Sequence, residues 1–223
     1  MEETEQTFIS WDGAELFYRK WVPDKPTDKA LLLFHRGHEH SGRWQETVDS
    51  LDLGDVAIFA WDTRGHGHSP GKRGAANGLL DVIKDVDCFA RHISKEHGIP
   101  WENMIVLAHS LAAVTVAAWV HDYAPAIRAM ILATAAFHVK LYVPFAIPAL
   151  RIFRPQFVKS YVKSKMLTHD REQAARYDSD SFIFRQIAFR SKALSPISDG
   201  ARWSRRIATI PACVSTPSRS KLG

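Results

Sequence analysis

Four short runs consist almost wholly of apolar residues: "ALLLFH" (30–35), "DVAIFAWD" (55–62), "NMIVLAH" (103–109) and "IRAMILATAA" (127–136). A strand with one wet face alternates in polarity, whereas a run apolar on both faces needs cover on both. The segments between them have helical periodicity. Over 79–97, Leu79, Val82, Ile83, Val86, Phe89, Ala90 and Ile93 share one face, and Gly98 is placed to close the helix. "LAAVTVAAWVHDYA" (111–124) reads as a helix stopped by Pro125, and "SGRWQETVDSL" (41–51) as a helix with Ser41 as its N-cap. Buried strands alternating with helices predict a mostly parallel, doubly wound sheet of the α/β class. Right-handed crossovers bring every parallel carboxyl end to one edge, where ligands bind. "LFHRGHEH", "AWDTRGHGHS" and "LAHSLA" all fall at such ends.

The remainder divides around this pattern. "QTFISWDGAELFYRKW" flanks Asp12-Gly13 with alternating runs and predicts a hairpin. After residue 136 the buried-strand runs stop, and helical patches rich in Phe, Tyr, Arg and Lys follow. The expected organisation is a core over 1–136, an inserted helical lid over 137–206, and the start of a further strand with an irregular tail over 207–223.

Ser110 lies between an apolar strand and a helix, in "AHSLA". A serine needs a base before it attacks. The strand-to-helix turn would expose its hydroxyl and aim a helix N-terminus at developing negative charge. The N–H of Leu111 could then donate to an oxyanion. A plain N-cap at Ser110 is the competing reading.

Two further blocks weigh against the N-cap. "HRGHEHSGRW" (35–44) and "DTRGHGHSPGKRG" (62–74), together with the serine turn, resemble the α/β-hydrolase family, especially its monoglyceride lipase and lysophospholipase-like branch. His35, Gly37, Glu39, His40, Ser41, Gly42, Arg43 and Trp44 follow the first family pattern, while Arg36 and His38 stand where glycine is usual. Asp62, Arg64, Gly65, His66, Gly67, Ser69, Gly71, Arg73 and Gly74 follow the second. Ala108 and Ala112 replace the glycines that usually flank the serine. The resemblance implies an α/β-hydrolase fold and hydrolysis of carboxylic esters, often acyl glycerols. It makes Ser110 the nucleophile and the N–H groups of Gly37 and Leu111 the oxyanion hole. It implies no cofactor.

In that family the acid follows strand seven and the base histidine follows strand eight. This sequence reaches only the start of strand seven, so the resemblance places neither partner within the 223 residues. The alternative expectation is therefore a catalytically impaired α/β-hydrolase that only binds. Among the histidines after Ser110, His138 directly follows the fourth apolar run and is the candidate substitute base; His121 and His169 are worse placed. A truncated sheet would also expose its last strand and favour self-association. His35, His38, His40, His66 and His68 crowd two loops, yet their spacing fits no zinc signature, and the expectation is no metal.

Composition narrows the setting. Two cysteines form no disulfide framework, "MEETEQTF" has no apolar core of a secretory signal, and no run is long enough to span a membrane. A cytoplasmic location is expected. A net charge of +5 without a recognisable motif argues against nucleic acid. The basic, aromatic stretch after residue 137 leaves peripheral lipid contact through the lid as a secondary expectation.

Overall fold

The computed structural model describes residues 1–74, 78–136, 157–159 and 162–188, with backbone alone at 157–159 and 186–188. A hairpin opens the chain: β1 (Glu3–Ile9) and β2 (Glu15–Trp21) turn at Gly13, whose φ of 82° suits a residue without Cβ. Then follow β3 (Ala30–Phe34), a 3₁₀ turn (Ser41–Trp44), α1 (Gln45–Leu51), β4 (Ala57–Trp61), α2 (Leu79–His97), β5 (Met104–His109), α3 (Leu111–Tyr123) and β6 (Ala129–Ala133). The strands form a six-stranded sheet in the order β1-β2-β4-β3-β5-β6. β1 and β2 are antiparallel to their neighbours, and the other four strands are parallel.

Strand alternation sorts the apolar runs between two layers. Leu32, Phe34, Phe59, Trp61, Val106 and Ala108 pack with Val86, Phe89 and Ile93 of α2 and with Val116 and Trp119 of α3. Leu31, Leu33, Ile58 and Ala60 face the other way, toward Val48 of α1. All seven apolar residues expected on the inner face of α2 are buried, and Gly98 closes that helix at φ 64° with its N–H on the Ser94 carbonyl.

Three expectations need correction. The fourth run forms a strand, but Met130 and Ile131 are 37% and 49% exposed. β6 has one neighbour among the described strands, and the core cluster that contains α1 does not extend to it. Ser41 does not cap a helix. His40 caps the 3₁₀ turn through Nδ1, which accepts the Gly42 N–H at 3.2 Å, while the Ser41 N–H is taken by Asp62. Beyond residue 136 the described residues are not purely helical. β7 (Phe157–Lys159) and β8 (Gln186–Ala188) pair as a two-stranded antiparallel ribbon, with α4 (Arg171–Ser179) between them in sequence. The strand expected at 207–214 lies outside the described residues.

Candidate active site

The turn from β5 into α3 is strained at one residue. Ser110 has φ 57° and ψ −113°, a backbone that a side chain makes costly, by about 1–3 kcal/mol. Two backbone hydrogen bonds hold it there. The Ser110 N–H donates to the Ala133 carbonyl at 2.9 Å, and its own carbonyl accepts the Ala136 N–H at 3.2 Å. Thr134, between these two anchors, also has a positive φ of 45°. The Ser110 hydroxyl makes no cap to α3, so the plain N-cap reading fails; among the described residues it has no hydrogen-bond partner. Ala108 is fully buried and Ala112 packs against the core, so the turn accommodates a methyl at both positions.

Gly37 lies beside this turn. A Cβ on it would sit 3.2 Å from Leu111 Cδ2. The loop after β3 therefore touches the first residue of α3, bringing the two expected oxyanion positions together. The Arg36 guanidinium pairs with Glu39 at 2.5 Å, and Arg43 approaches the same carboxylate at 3.8 Å. His38 is half-buried. Burial lowers its pKa, and the nearby His66 and Arg36 add to that; His109 is lowered by burial and by Arg36.

The loop after β4 is built around Asp62, which is fully buried. Its carboxylate accepts the Ser41 N–H at 2.6 Å and the His68 N–H at 2.8 Å, joining the two motif loops. A Cβ on Gly67 would run into that carboxylate, which explains a glycine at this point in the motif. Arg64 reaches away from the loop to Asp85 at 2.6 Å and Asp12 at 2.9 Å, tying α2 and the first hairpin to the site edge.

The residues expected as partners of Ser110 fare as follows. His138 lies outside the described residues. His121 is paired with its neighbour Asp122 at 2.9 Å, and His169 is exposed before α4. Of the crowded histidines, His35 and His66 bond loop carbonyls, His40 bonds Asp180 at 2.9 Å, and His68 lies tilted between Phe17 and Phe182. Among the described residues no three His, Cys, Asp or Glu side chains converge as a metal site. Asp180, Phe182 and Phe184 were not legible as site neighbours. Their contacts cross 140 residues between His40 and Asp180 and still more between His38 and Phe184, and no local pattern marks them.

Sheet order, crossovers and this serine turn define an α/β-hydrolase fold. The chain belongs to the family described as serine aminopeptidase, S33, which it matches over residues 25–208. It is 44% identical to the uncharacterized protein YnbC of Escherichia coli over 96% of this chain, and spans 37% of that protein. It is 26% identical to a monoacylglycerol lipase of Mycolicibacterium smegmatis, covering 81% of this chain and 65% of the relative. The crystal structure of the Paleococcus ferrophilus monoacylglycerol lipase superposes with a TM-score of 0.69 at 23% identity, covering 87% of this chain and 73% of that one. No helix among the described residues is long and apolar enough to cross a membrane.

Proposed function

We propose that the chain is a serine hydrolase of carboxylic esters, acting on an acyl glycerol or a related acyl ester through an acyl-Ser110 intermediate. The strained Ser110 backbone at the head of α3 carries this reading, because it presents a hydroxyl that nothing described ties down. Gly37 and Leu111 would supply the oxyanion N–H groups, and the α3 N-terminus adds its partial positive charge. Relatives named as monoacylglycerol lipases support the substrate class. Contact with the acyl chain would fall to the lid over 137–206.

A second reading, in which the chain binds ligand without turnover, draws on a specific observation. No described residue hydrogen-bonds the Ser110 hydroxyl. Loss of a triad member typically costs ~10⁴–10⁶ in turnover. Hydrolysis of p-nitrophenyl butyrate by wild type and Ser110→Ala, with fluorophosphonate labelling, separates the two. Label on Ser110 with turnover abolished in the variant supports the hydrolase; an unlabelled, inactive wild type leaves the binding reading.

A further inference from the structure

Each peptide group flanking Gly37 is held by a different histidine, the buried His35 and the half-buried His66. The Arg36 carbonyl accepts from His35 Nδ1–H at 2.8 Å and from the Glu39 N–H at 3.1 Å. The other ring nitrogen of His35, Nε2, accepts from the Thr63 N–H at 3.0 Å. One nitrogen donates and the other accepts, so the ring is neutral with its proton on Nδ1. On the far side, the Gly37 carbonyl accepts from His66 Nε2–H at 2.9 Å. The Nδ1 of His66 lies 3.2 Å from the Arg64 carbonyl, so both nitrogens face acceptors. A neutral ring has one proton, and the shorter contact places it on Nε2. The two rings sit 5.4 Å apart. Burial, and then the proximity of His35, hold the His66 pKa at about 4, and burial lowers His35 as well.

A planar trans peptide points its N–H opposite its C=O, and the chain has no cis bond among the described residues. The Gly37 N–H shares a peptide group with the Arg36 carbonyl. Pinning that carbonyl therefore sets the direction of the N–H. Pinning the Gly37 carbonyl holds the next peptide, where the latitude of glycine would otherwise let the loop swing. We propose that His35 and His66 are positioning residues of the oxyanion hole, two imidazoles that clamp the peptides on either side of Gly37 and aim its N–H at the acyl oxygen on Ser110. The proposal rests on the serine-hydrolase reading above.

The test uses the 223-residue chain, with long-range ¹H–¹⁵N spectra of the imidazoles at neutral pH and kinetics with p-nitrophenyl butyrate and a fluorophosphonate. The expected tautomers are Nδ1–H for His35 and Nε2–H for His66. His66→Gln offers an amide N–H near the Nε2 position and should keep kcat within about tenfold. His66→Phe, which fills the space without a donor, should lose ~10²–10³ in kcat with KM little changed, the cost of a misplaced oxyanion donor. A reactive wild type with either tautomer reversed, or with Gln and Phe equally impaired, overturns the clamp alone. A wild type inert to both reagents overturns the hydrolase reading and the oxyanion role with it, whatever the tautomers.

Discussion

β4 and β6 are parallel strands of one sheet, both five residues long and apolar, yet every residue of β4 is buried and none of β6 is. β4 has a strand on each side and contributes to both core clusters. β6 pairs only with β5 among the described strands. An apolar run therefore reports that a strand needs cover; the cover itself comes from elsewhere in the chain.

The largest effect expected from breaking this contrast is at Phe59, fully buried in β4. Phe59→Ala should cost about 3–5 kcal/mol, and Ile131→Ala on β6 under about 1 kcal/mol, in urea unfolding. Equal losses would mean that β6 is covered in solution.

Acid should act next, and on the β3–β4 side, where His35 is buried and His66 is half-buried and largely desolvated. An unfolded histidine titrates near 6.5, and His66 in the fold near 4. Between these values the unfolded chain holds a proton that the folded one excludes. Stability is thus full above the unfolded value and falls as pH drops toward 4, by roughly 3 kcal/mol from His66 alone. Urea midpoints that stay flat over this window would contradict the burial of that ring.

Thr134 sharpens the β6 side. Glycine removes the strain of φ 45° but adds chain entropy, so Thr134→Gly should stabilise by about 1 kcal/mol. A loss of stability would show that the Thr134 side chain itself holds the turn behind Ser110. The smallest effect belongs to Ile131→Lys, within about 0.5 kcal/mol, but with lower light scattering if the edge associates in solution. Unchanged scattering would remove self-association through β6.

Local patterns in the sequence carried much of the core. The inner face of α2, the Asp12-Gly13 hairpin and the strand-to-helix setting of Ser110 depend on neighbours within a few residues, and all are present. What was not legible depends on distant partners. Ser41 looks like a cap, but its N–H is drawn to Asp62, twenty-one residues on, its hydroxyl caps nothing among the described residues, and His40 does the capping. The partners of the crowded histidines are equally distant: carbonyls, a carboxylate and aromatic rings from separate loops meet His35, His40, His66 and His68. The ribbon of β7 and β8 joins segments nearly thirty residues apart.

The stretch from Asp180 to Phe184 meets both motif loops. Asp180 holds His40, Phe182 lies against His68 and under the Arg73 guanidinium, and the Phe184 N–H donates to the His38 carbonyl at 3.1 Å. His38 directly follows Gly37. Lifting this stretch would remove one brace from the loop of the candidate oxyanion donor and leave the His35 and His66 contacts to hold it, so the same loop is tied from within the sheet edge and from a segment over a hundred residues away.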